Sequence, residues 1–219
     1  MNMSSLSSRR RLRPVLGAAV LLLLSACAGL GGGSNGAAAI YAPDPRVPAD
    51  PAWPEVSWQL SVTSPLAARL LDSARIVVRP SPNEMQVYKN ASWAKRPSEM
   101  LEDALLRALE DSGRIPAVAR QGSGVSADYK LVLDLRRFES AYAQPGAMPA
   151  ATIEVNAKLL YASDQQVVAM HTFLHAQPSA STAVPDVVVA FEQALGAVTS
   201  ELAGWVLASG AAHERNAKR

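Results

Sequence analysis

Apolar and polar positions alternate along much of this chain, the period-2 signature of strands with one buried face. Val56–Thr63 (VSWQLSVT) is the first such segment, and Arg75–Arg79 (RIVVR) is the second, stopped by Pro80 and Pro82. Met85–Tyr88 is a short third. In Tyr129–Tyr142 (YKLVLDLRRFESAY), Leu131, Leu133 and Leu135 share one face while Lys130, Asp134 and Arg136 take the other. Thr152–Tyr161 sets Ile153, Val155, Ala157 and Leu159 on one face. Gln166–Ala176 follows after the hairpin-sized link Ser163-Asp164-Gln165. Ile115–Ala119 is a further short candidate.

Two stretches change to a helical period. In the first, Met100, Leu101, Ala104, Leu105, Ala108 and Leu109 form a stripe, with Pro97 suited to the first turn and Gly113 to the C-terminal cap. Glu99, Glu102, Asp103, Arg107 and Glu110 are expected on its solvent side. The second begins near Pro185 and carries Val188, Phe191, Leu195, Val198, Leu202 and Trp205 at steps of three or four. Gly196 and Gly204 weaken it by roughly 1 kcal/mol each relative to alanine, and point to close helix–sheet approach. The order β-β-β-α-β-β-β-α predicts an α+β fold, a mostly antiparallel sheet with two main helices packed on one face.

The N-terminus has another pattern. Residues 9–13 read RRRLR, and residues 15–26 read VLGAAVLLLLSA, an apolar run too short for a membrane span and suited to a signal-peptide core. It ends in Leu24-Ser25-Ala26-Cys27, which resembles a bacterial lipobox. In that class cleavage follows Ala26, and Cys27 receives a diacylglyceryl group and an acylated amino terminus, enough chains for stable anchoring. The expected organisation is a signal peptide over 1–26, a lipidated cysteine with a Gly/Pro-rich tether over 27–54, a folded domain over 55–209 and a frayed polar tail over 210–219.

Composition limits the function classes. The chain has 219 residues, 49% of them hydrophobic, with 39 alanines and a single cysteine. This excludes a disordered chain, a disulfide scaffold and a Cys-based metal site within one chain. Four of the 21 basic residues are Arg9, Arg10, Arg11 and Arg13; without them 17 basic residues face 19 acids, a body near −2 with no basic surface for nucleic acid.

Catalytic signals are weak. Gly31, Gly33 and Gly36 match G-x-G-x-x-G without a preceding strand. Gly122-Ser123-Gly124 lacks the nucleophile-elbow spacing. The pairs Glu102/Asp103 and Glu110/Asp111 diverge by about 100° on a helix surface. His171 and His175, four apart on a strand, lie roughly 13 Å apart along one face, too far to share a metal. No metal, cofactor or catalytic residue is assigned, and the chain reads as a non-enzyme. The stretch Arg79–Trp93 (RPSPNEMQVYKNASW) is different: a loop with prolines, Tyr88, Trp93 and charges. Its aromatics either complete the core or form a recognition surface; on the second reading Arg79, Tyr88 and Trp93 bind a partner, with an exposed Tyr88 as anchor. Of Arg136 and Arg137, one is expected on each side of the sheet.

The lipobox, the tether, residues 75–115, residues 129–142 and the helix AFEQALGAVTSELAGWVLAS over 190–209 together resemble the ABC-type transport auxiliary lipoprotein family (PqiC-like proteins) across roughly residues 55–208. Trp58-Gln59-Leu60 departs from the family's Tyr-x-Leu opening. The resemblance implies a membrane-anchored periplasmic lipoprotein at the outer membrane. It implies a non-enzymatic auxiliary role beside an MCE-domain protein of an ABC-type transporter, in lipid trafficking between the two membranes, with a homo-oligomeric ring as one form of contact. The alternative is a carrier that holds an acyl chain in its own cavity between sheet and helices.

Overall fold

The period-2 segments form strands and the 3.6-period segments form helices in the computed structural model, which describes residues 38–144 and 146–217. In chain order these are β1 (Ala39–Tyr41), β2 (Gln59–Val62), β3 (Leu66–Ala67), β4 (Arg75–Ser81), β5 (Glu84–Trp93), α1 (Pro97–Ser112), β6 (Ala117–Arg120), β7 (Tyr129–Ala141), β8 (Ala150–Tyr161), β9 (Val167–Pro178) and α2 (Val184–Ala217). Pro97 opens α1, as its ring fits the first turn. The Glu99 carboxylate accepts the Arg96 amide at 3.3 Å, and Asp72 accepts the Ser98 amide at 3.1 Å, so two donors near the helix start are satisfied. Gly113 closes the helix at φ 62°, a conformation that costs glycine nothing.

The sheet is mixed rather than mostly antiparallel. β7 is its long central strand. One edge of β7 pairs antiparallel with β8, and β8 with β9, the second pairing as the short 162–166 link predicts. Along the other edge, three consecutive segments run parallel to β7 in relay: β2 beside 129–131, β3 beside 134–135 and β4 beside 140–141. β6 and β1 add parallel pairings to β2 and β5. Alternation shows which face a residue takes and carries no information on strand direction, hence the discrepancy.

The inward face of Leu131, Leu133, Leu135, Ile153, Val155, Ala157 and Leu159 is buried against α1 (Leu101, Leu105, Leu109) and α2 (Phe191, Leu195, Val198, Leu202, Val206). Both helices therefore share one face of the sheet. Burying each of the leucine, isoleucine, valine and phenylalanine side chains among these contributes about 1.5–3 kcal/mol.

Three expectations change. The Pro-rich part of the expected tether is docked: residues 42–49 run over the groove between α1 and α2, Asp44 pairs with Arg107, and Trp53 is buried. Gly196 and Gly204 face this strap rather than the sheet: Pro45 lies against Gly196, and the Trp53 indole occupies the space where a Gly204 Cβ would be. Residues 210–217 are the last two turns of α2 and not a frayed tail, because Gly210 admits the Trp58 ring and His213 reaches the Tyr129 hydroxyl at 2.8 Å.

Candidate partner-binding surface

Ala26, Cys27 and the glycine motif of residues 31–36 lie outside the described residues. Arg79–Trp93, read from sequence as a loop around the short strand Met85–Tyr88, is mostly strand: β4 turns at Pro82-Asn83 into β5, which extends that strand to Glu84–Trp93. The pairing slips between Arg75–Ser92 and Val77–Val87, leaving extra residues on β5, and Asn90 takes φ 54° within this bulge. The hairpin exposes Glu84, Met85 and Gln86 beyond the bulge and Lys89 within it.

The three residues expected to bind a partner separate here. Trp93 is 3% exposed and packs edge-on against Phe138 and Phe191, with ring centroids 5.9 and 5.1 Å away. It is a core residue, and the contact assignment for it is corrected: it is the last residue of β5, where the strand enters the sheet–helix interior. Tyr88 is half-buried rather than exposed, its hydroxyl 3.0 Å from Ser140 Oγ, and burial pushes its phenol pKa up. Arg79 is partly exposed but engaged. Its Nε donates to Glu139 Oε1 at 2.7 Å and its Nη1 to the Pro82 carbonyl at 2.9 Å, tying the hairpin turn to β7.

Glu139 is the centre of this cluster. Its side chain is fully buried, and Arg137 Nε donates to the same Oε1 at 2.9 Å. Burial pushes its carboxyl up, but hydrogen bonds from Arg79 and Arg137 outweigh that and hold it below the usual carboxylate range. Oε2 is buried without a partner among the described residues. Arg136 and Arg137 do not take opposite sides of the sheet. A bulge between Leu135 and Arg137 turns both to the outer face, where Arg136 bonds Asp134 at 3.2 Å.

On α1, Glu102 is not solvated. It is 6% exposed, with Oε1 3.4 Å from Arg120 Nε and without hydrogen-bond geometry; burial pushes its carboxyl up. Asp103 beside it binds Lys95 at 2.6 Å and also Arg120. The pair is thus split between an interior and a surface position, and does not converge on a substrate. His171 and His175 lie on β9, with His171 edge-on to Phe173 at 4.7 Å.

Sequence reasoning missed one feature. A cleft of about 260 Å³ opens where the end of α2 meets the start of β7, lined by Trp58, Asp128, Tyr129, Tyr161, His213 and Glu214. Burial pushes the Tyr129 phenol up to about 12; its hydroxyl donates to the Gly210 carbonyl at 3.4 Å and lies 2.8 Å from His213 Nδ1. The signal for this cluster lay in residues 210–217, whose polar composition reads as a tail.

A family model described as the ABC-type transport auxiliary lipoprotein component matches residues 39–203. The crystal structure of protein XCC0632 from Xanthomonas campestris is 57% identical, covers 81% of this chain and 99% of that one, and superposes with a TM-score of 0.78. A crystal structure of an uncharacterized protein, 15% identical over 73% of this chain and 97% of that one, has a TM-score of 0.55 and shares the fold alone. No curated protein matches the sequence.

Proposed function

Since this chain belongs to the family of ABC-type transport auxiliary lipoprotein components, we propose that it is the lipid-anchored adaptor of a transporter that includes an MCE-domain protein. It acts without catalysis, in lipid trafficking between inner and outer membranes. The observation that carries this reading is the extent of the family match: residues 39–203 take in every strand and most of α2.

Anchoring through Cys27 follows from the lipobox. With residues 38–54 docked, the link from Cys27 to Ala38 spans at most about 40 Å, so the body stays near its membrane and its partner meets it there. Ala28 follows the cysteine and favours the outer membrane, since an aspartate in that position retains lipoproteins at the inner membrane in many enterobacteria. The contact surface is the exposed strip of the hairpin, Glu84 to Lys89, with Arg79 and Tyr88 at its base. Mixed charge and an exposed Met85 suit a protein partner. The acyl-carrier alternative requires a void between sheet and helices. That layer is occupied by side chains such as Leu133, Ile153, Phe191 and Leu195, all fully buried.

In-cell photo-crosslinking from Met85 and Gln86, followed by mass spectrometry, tests the reading. An MCE-domain protein is the expected partner; capture of no transporter chain from either position refutes the adaptor role. Cys27→Ser should abolish incorporation of labelled fatty acid, and retained labelling would remove the anchor.

A further inference from the structure

β9 ends the sheet. Among the described residues it pairs with β8 alone, along its whole length. Exposed edges are normally guarded by charges, prolines or bulges that keep other strands away. Over Val167–Gln177 this edge has no Asp, Glu, Lys or Arg; its proline is the terminal Pro178, and its register shift lies at the other end, near Val168. Met170 and Leu174 are 62% and 57% exposed.

The direction of the free backbone groups follows from one hydrogen bond. Ser179 donates its amide to the Pro149 carbonyl at 2.9 Å. In antiparallel alternation the hydrogen-bonded pairs are then Ile153–His175, Val155–Phe173 and Ala157–His171. The amides and carbonyls of Met170, Thr172, Leu174 and Ala176 therefore point away from β8. Their side chains share the outer face, opposite Phe173, which is buried.

We propose that this edge pairs antiparallel with β9 of a second copy of the chain, about a two-fold axis at Thr172, joining the two sheets. This register is nearly centred on the strand and sets every outward-pointing group against another. A shift by one residue would oppose them to groups already bonded to β8. It is self-complementary, as an isologous interface must be. Met170 lies opposite Leu174 of the second copy, and Thr172 opposite Thr172. On β8, Lys158 is beside Met170 and Glu154 beside Leu174. The two Met170–Leu174 rows across the joint thus each begin with a cation, have two apolar side chains at the centre and end with the other copy's anion, and the Thr172 row between them is flanked by neutral Asn156. No like charges meet.

A single strand–strand joint is a small interface, so the test is made on the full chain in cell membranes. Opposed Cα atoms in a hydrogen-bonded pair lie about 5.5 Å apart, within disulfide range. On treatment with a thiol oxidant, Thr172→Cys should form a covalent dimer several-fold above Ser163→Cys, an exposed site in the β8–β9 turn. The unsubstituted chain serves as the blank for Cys27. Co-expressed, differently tagged Met170→Cys and Leu174→Cys copies should crosslink to each other more than either does to itself. Adding Met170→Lys to Thr172→Cys should lower dimer yield about tenfold with the thermal midpoint unchanged. Yield no higher than Ser163→Cys, capture of a different protein by Thr172→Cys, absence of the Met170–Leu174 preference, or an unchanged yield with Met170→Lys would each overturn the proposal.

Discussion

The three glycines of α2 give opposite answers to the same substitution. In an unobstructed helix interior, glycine to alanine stabilises by up to about 1 kcal/mol, through propensity and a less flexible unfolded chain. At Gly196 a new Cβ would meet Pro45 Cβ at 3.4 Å, an ordinary contact, so Gly196→Ala should keep most of that gain. At Gly204 the Cβ would lie 2.6 Å from Trp53 Nε1 and 2.9 Å from Cδ1. The indole is a rigid plate, so either it moves within the packed strap, at about 1–3 kcal/mol, or it leaves. Full ejection forfeits burial of an aromatic of about 150–250 Å², on the order of 4–6 kcal/mol. The smaller cost wins, and after the propensity gain Gly204→Ala should lose up to about 2 kcal/mol. At Gly210 the clash is worse, 2.3 Å from Trp58 Cζ2 and 2.6 Å from Cε2. The Trp58 ring is backed by Tyr129 with centroids 4.8 Å apart, so it has less room to yield. Urea unfolding of the full chain in mild detergent, followed by far-UV circular dichroism and tryptophan fluorescence, measures all three. With a urea slope of about 2 kcal/mol/M, each kcal/mol moves the midpoint by about 0.5 M. The order of stability should be Gly196→Ala, wild type, Gly204→Ala, Gly210→Ala. Either of the last two at or above wild type would show that the tryptophans do not occupy these notches.

Two carboxylates should respond to pH with opposite sign. Burial raises the folded-state pKa of Glu102, so its charged form costs stability that disappears as the pH falls below that value. Glu102→Gln should therefore raise stability at neutral pH, and a gain that persists undiminished to about pH 3 would refute this. Glu139 is held low by Arg79 and Arg137, so its contribution is complete above the unfolded value near about 4.3 and is lost as pH falls through the folded value. Glu139→Gln should destabilise at neutral pH and converge on wild type in acid, measured by thermal midpoints across the range. Leu105→Ala and Leu195→Ala, both at fully buried positions, should cost about 2–5 kcal/mol each in the urea assay, whereas under about 0.5 kcal/mol at both sites would contradict the buried faces. Tyr88→Ala should lower the thermal midpoint through the lost Ser140 contact and weaken crosslinking from Met85, and an unchanged crosslink yield would remove Tyr88 from the contact surface.

The sequence by itself determined both helices and the long strands β7, β8 and β9, with most of their inward residues, but not β1, β3, the extent of β5 or the last two turns of α2. Leu131, Leu133 and Leu135 are inward because period 2 leaves no other face, and α1 runs from Pro97 to the Gly113 cap because both residues suit those backbone positions. Strand direction was not legible, since a relay of short strands along one edge of β7 and a meander of hairpins share the same alternation. The bulge at Arg136 was equally hidden: one extra residue reverses the alternation after it and puts both arginines outside. At the candidate surface, residue type could nominate Arg79, Tyr88 and Trp93 but not choose between core and partner for an aromatic. That choice depends on where β5 enters the helix layer, which puts Trp93 against Phe191, ninety-eight residues later in the chain. The polar end of α2 and the Pro-rich strap had the composition of a tail and a tether. Only the tertiary structure decided otherwise, because what holds them is a notch at Gly204, a notch at Gly210 and a hydroxyl on Tyr129, all supplied by segments distant in sequence.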